Sequence, residues 1–204
     1  MQPGELYKNA DQSISRIISA DEFEILYDVL SSTNEWIFAD SPNKICYYYR
    51  SIPKAFLEEH IHLGDQPYSS LERSFLGPDL PLRVCRYREI QWEKEQILSL
   101  EDYKSKVHDV ILDYSQIILP VNRIELVGFN QSHRPAKTIS IQSESKEGFS
   151  EIELLWHAHN IQAPLVKKTR TDGVGIFRLG HNKNIPSYYV GGFIDAAGFL
   201  NLKY

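Results

Sequence analysis

"EIELLWHAHN", residues 151–160, places two histidines one residue apart behind an apolar run. Its conformation decides how the second half of the chain is read. In a strand, side chains alternate between the two faces. His157 and His159 would then share a face with Glu153 and Leu155, and Ile152, Leu154, Trp156 and Ala158 would fill the other. Residues two apart on a strand lie about 6–7 Å apart at their Cα atoms, close enough for two imidazoles to meet at one metal ion. In a helix, Ser150 with Glu153 forms a capping box and Phe149 with Leu154 its hydrophobic staple. Residues two apart then diverge by about 200°. The segment alone supports both conformations equally, and its surroundings favour the strand.

Upstream, "SLEDYKSKVHDVILDYSQIIL" repeats apolar residues every three or four positions behind Ser99. This pattern predicts a long capped helix ending at Pro120, with His108 on its rim. Glu125 follows in "LPVNRIELVG". "RIELVGF", "KTISIQS", "GVGIFRL", "SYYVGGFI" and "GFLNLKY" read as strands, the last closing a hairpin around Ala197 and Gly198. In the first half, residues 1–12 read as a loose tail and "SADEFEILYDVLSS" as a helix capped by Ser19 or Asp21. "EWIFA", "KICYYYR" and "LRVCRYREIQW" read as strands, and "IPKAFLEEHIHLG" as a short helix opened by Pro53 and stopped by Gly64. In that last segment His60 and His62 sit at a helix end. The expected class is α+β, a mixed sheet with flanking helices. The expected boundary lies near residue 95, between an α+β region at 1–95 and a second domain at 96–204.

The order helix, Glu-x-x-Gly, strands, His-x-His, Thr-x-x-Asp and closing strands resembles the JAB/JAMM metalloprotease family over roughly residues 100–204. "IPSYYVGGFIDAAGFLNLKY" resembles the last strands of its bacterial JAB-like members. The resemblance implies a zinc ion held by His157, His159 and Asp172, with water in the fourth position. It implies Glu125 as the general base for that water and Thr169, where the family has serine, as a donor to the oxyanion. Glu153 would support a ligating histidine from behind. The implied reaction is hydrolysis of a peptide or isopeptide bond in a protein substrate or ubiquitin-like conjugate. Asn160 departs from the family's proline after the second histidine.

Composition points in a second direction. The 204 residues carry a formal net charge of -5, which gives nucleic acid no electrostatic draw. No apolar run reaches the roughly 18 residues that span a bilayer, and the polar N-terminus lacks the layout of a signal peptide. Two distant cysteines, Cys46 and Cys85, make a disulfide framework unexpected and a cytoplasmic setting the natural one. Phosphate-binding, dinucleotide-binding and serine-nucleophile motifs are all absent. An acidic, tyrosine-rich chain of this size also suits a non-enzymatic protein-binding module of immunity or inhibitor type, whose tyrosines anchor a basic partner.

Overall fold

The computed structural model describes residues 1–31, 36–37, 46–64, 80–87, 90, 95–111, 113–130, 134–165 and 174–192. The class is α+β, with antiparallel and mixed sheets and three helices among the described residues. The chain divides into two compact units. One comprises Met1–Leu82 with Leu179–Pro186, the other Arg83–Arg178 with Ser187–Tyr204. Thus the division falls at 82/83 and within a late hairpin, whereas the sequence suggests a boundary near residue 95.

The first unit is built on an antiparallel sheet. Its strands are β1 (Leu6–Lys8), β2 (Ile14–Ala20), β3 (Ile25–Leu30), β4 (Trp36–Ile37), β6 (Tyr49–Ser51) and β7 (Ile61–Gly64), with β5 (Cys46–Tyr47) and helix α1 (Pro53–Glu59) between them in the chain. The order is β4-β3-β2-β1-β7, and β6 pairs with β3 beside β4. The "FEILYDVL" segment is therefore a strand, not the expected helix. Its apparent cap is an Asx turn, in which the Asp21 carboxylate accepts the amides of Phe23 and Glu24, both at 2.8 Å. A helix N-cap makes the same local bonds. Nor are residues 1–12 a loose tail, because β1 lies between β2 and β7. Tyr7, Ile17, Ile25 and Phe56 form one buried cluster, and Ile18, Leu26, Tyr48 and Leu82 another.

A buried ion pair crosses this sheet. Arg16 and Asp28 stand directly opposite on β2 and β3. The guanidinium donates through Nε at 3.1 Å and through Nη2 to the other carboxylate oxygen. Both residues are buried. Burial pushes the Asp28 carboxyl up to about 6, against the pull of Arg16.

The second unit contains β8 (Arg83–Tyr87), α2 (Leu100–Val107), β9 (Ile117–Leu119), β10 (Arg123–Phe129), β11 (Pro135–Gln142), β12 (Phe149–Ser150), α3 (Glu151–Gln162) and most of β13 (Val174–Asn182) and β14 (Ile185–Gly192). The sheet runs β11-β10-β14-β13, with β8 on β13. β10 pairs antiparallel with β11 and parallel with β14. Gly180 and His181 of β13, which belong to the first unit, pair with Tyr47 and Cys46. The α2 helix is capped by Ser99 as expected but stops at Val107. Beyond it, Asp113 turns the chain by accepting from the Ser115 amide and hydroxyl. Ile117 then pairs with β12 as a strand. β-Branched residues crowd this stretch and weaken its helical preference. The expected closing hairpin at 193–204 lies outside the described residues. Among the described residues, no helix is long and apolar enough to cross a membrane.

Replacing Asp28 with Ala removes both acceptors of a buried guanidinium and should cost about 3–5 kcal/mol. The double variant Arg16→Met/Asp28→Leu should recover most of that loss, as read by urea unfolding. The folded chain keeps a proton on Asp28 above the ordinary carboxyl pKa of 3.8. This residue's contribution is therefore fully present below about pH 4 and declines as pH rises toward about 6. The slope of stability against pH in that window should be shallower in the double variant.

Candidate functional site

The "EIELLWHAHN" segment is helix α3, Glu151–Gln162, and the strand favoured by its surroundings is not formed. Ser150 caps it, its side chain accepting the Glu153 amide at 3.4 Å. The helix reading is the one the chain adopts, with Ser150 as its N-cap. The Glu153 carboxylate serves a further purpose. It accepts from the Ser143 hydroxyl at 3.1 Å and the Glu144 amide at 2.9 Å, tying the preceding loop to the helix. That loop also needs Gly148, at φ +134°, where a Cβ would stand 2.3 Å from the Leu119 carbonyl oxygen.

The rest of the helix is a set of clamps. Gln162 donates to the Phe129 carbonyl at 2.7 Å and accepts the Phe129 amide at 3.2 Å, holding the end of β10. Asn160 accepts the Ile97 amide through Oδ1 and donates to the Ile97 carbonyl through Nδ2, both at 2.8 Å. The Trp156 indole donates to that same carbonyl at 2.8 Å. The Nε2 of His159 donates to the Glu95 carbonyl at 2.9 Å, which fixes the hydrogen on that nitrogen. His159 is buried, with the Tyr103 ring 5.7 Å away. His157 is half-buried beside Trp156, ring to ring at 4.8 Å. Burial lowers its pKa, and the Glu144 carboxylate opposes that shift.

The expected metal site is therefore not assembled by the described residues. His157 and His159 diverge on a helix, and Nε2 of His159 carries a hydrogen. Glu125 is buried in the middle of β10, opposite Ser140 and Ser187 on the flanking strands. At Gly128 on the same strand, the Cβ position points at Ile161 and Leu165, on and just beyond α3. By strand alternation Glu125, three residues earlier, points to the other face of the sheet. Glu125 and the two histidines thus belong to opposite sides. Thr169 and Asp172 lie outside the described residues. Among the described residues no group of three or more His, Cys, Asp or Glu side chains is placed to hold a metal ion. Cys85 is a buried free thiol, its pKa pushed well up by burial.

A different surface stands out in the first unit. Helix α1 buries only Phe56 among its residues. His60, at its C-terminal end, stacks on Phe56 with centroids 3.9 Å apart and donates through Nδ1 to the Phe56 carbonyl at 2.8 Å. Around this anchor the chain leaves apolar side chains in water. Ile52 is 60% exposed, Leu57 54%, Ile61 70% and Leu63 40%. Seven large apolar side chains are exposed among the described residues, and four of them fall in this 52–63 stretch. A pocket of about 390 Å³ opens between the β1–β2 turn and the junction of α1 with β7. Compared with known proteins, the chain matches no family model, no curated protein and no solved structure.

The two histidines should respond unequally to substitution. His159→Ala removes a buried ring and orphans a carbonyl, at a cost of about 2–4 kcal/mol. His157→Ala should cost less than about 1.5 kcal/mol. Asn160→Ala should cost about 2–3 kcal/mol and speed exchange of the Ile97 amide. Urea unfolding with native-state hydrogen exchange checks all three. Equal losses at the two histidines, erased by chelator, would instead identify a shared metal.

Proposed function

We propose that this chain is a non-enzymatic protein-binding module of inhibitor or immunity type, working in the cytoplasm on a basic protein partner. The observation that carries this reading is the cluster of exposed apolar side chains on α1 and β7. Scattered exposed apolar residues are ordinary on any protein, but a cluster in one short stretch marks an interaction surface. The net charge of -5 supports a basic partner, because complementary charge raises encounter rates. Nucleic acid is disfavoured by the same charge.

The zinc peptidase reading requires His157, His159 and Asp172 to converge on one ion with Glu125 beside them. The helical placement of the histidines and the opposite-face placement of Glu125 weigh against it. Metal content tests that placement independently.

Photo-crosslinking decides between the readings. A crosslinking amino acid placed at position 57, 98 or 140 should yield a discrete adduct at position 57 with one basic protein. Purified, that protein should bind the chain more weakly as salt is raised. Adducts at none of the three positions would overturn the binding-module reading. One zinc per untagged chain, lost in His157→Ala/His159→Ala with the fold intact, would reinstate the hydrolase.

A further inference from the structure

We infer that β7 is the docking edge of this module, and that it takes an extended, basic segment of a partner protein as an added strand. The inference rests on the binding-module reading and specifies its site. Among the described residues β7 has a strand, β1, on one side only. An edge strand presents backbone donors and acceptors that a further strand can satisfy. Its side chains are arranged for such a visitor. His62 lies against the Tyr7 ring at 4.9 Å, and Ile61 and Leu63 on either side of it are both exposed, with the register against β1 slipping by one residue at Leu63. Leu57 and Ile61 both line the pocket at the start of β7, joining the strand to α1.

The charge around that pocket selects the occupant. Glu58 and Glu59 line it with His60, and Lys8 is the cationic side chain among its lining residues. Lys54 reaches Glu58 only at 4.0 Å, with both side chains largely exposed, so it neutralises that carboxylate weakly. The Nδ1 hydrogen of His60 is committed to the Phe56 carbonyl, so Nε2 of the neutral ring is an acceptor. Two carboxylates and an imidazole acceptor against one ammonium favour a lysine or arginine from the incoming segment. A second copy of this chain would bring the same two carboxylates and is disfavoured.

The test uses two synthetic nine-residue probes, alternating Val-Lys and alternating Val-Glu, titrated into the full chain and followed by amide NMR. The Val-Lys peptide should shift the amides of residues 61–63 to saturation, and the Val-Glu peptide should not. Glu58→Lys/Glu59→Lys should weaken the Val-Lys peptide roughly tenfold. Ile61→Lys should block it, since a charge on an edge discourages pairing. All three positions are exposed, so the variants should fold. Saturation by both peptides alike, or shifts confined to other residues, would overturn the proposal. A dimer in sedimentation that Ile61→Lys dissolves would also overturn it, by identifying a second copy as the occupant. If β7 stays silent while positions 98 or 140 crosslink a partner, only this site falls and the module reading stands.

Discussion

The architecture of the second unit depends on the backbone hydrogen bonds that α3 supplies to segments without regular partners of their own. Residues 95–97, in neither helix nor strand, lie against the helix. A buried amide or carbonyl without a partner costs on the order of 1–3 kcal/mol. Trp156, His159 and Asn160 meet that requirement for Glu95 and Ile97. Gln162 does the same for the end of β10, and Glu153 for the loop before the helix. A helix that must satisfy three separate segments carries polar groups on several sides, and those groups are then buried. His159 and Glu153 are both among the buried residues of α3. Their hydrogen bonds hold neighbouring segments in place.

This explains why the decisive segment was hard to read. An amphipathic helix announces itself by an apolar stripe, but α3 is buried on most of its circumference and has no such stripe. Only its end was legible, in Ser150 and Glu153. Two histidines at i and i+2 match strand alternation and invite a metal, yet each histidine here answers to a different neighbour. The "FEILYDVL" strand resembles a helix for a related reason. An aspartate that accepts two following amides opens a helix or a β-turn with the same bonds, and only the partner strand β2 settles which.

Strands β10, β11, β13 and β14 were legible because alternation and β-branched content are local properties. Their order was not. The parallel pairing of β10 with β14 joins residues about sixty positions apart, and no local signal encodes it. The placement of Glu125 follows from that order. The family resemblance makes the carboxylate of "RIELVGF" a general base beside the histidines, but it lies mid-strand between Ser140 and Ser187, away from α3. The α+β class survives because it depends on which elements exist, whereas the site depends on which faces they share.

The same distinction bears on β7. Proteins usually blunt an exposed edge with lysine, proline, a bulge or a covering element, because an apolar edge pairs with whatever it meets. The sequence of β7, Ile-His-Leu-Gly, carries neither lysine nor proline, and its register against β1 slips by one residue at Leu63. Further protection lies just upstream, in Glu58 and Glu59, and in the net charge of -5. Like charges keep copies of the chain apart over about a Debye length, roughly 8 Å at physiological salt. Such protection discriminates, because it repels an acidic edge and attracts a basic one. An edge guarded by lysine would carry the opposite bias. If β7 docks a partner strand as proposed, the acidic residues beside it restrain self-association and select a basic partner through one and the same interaction.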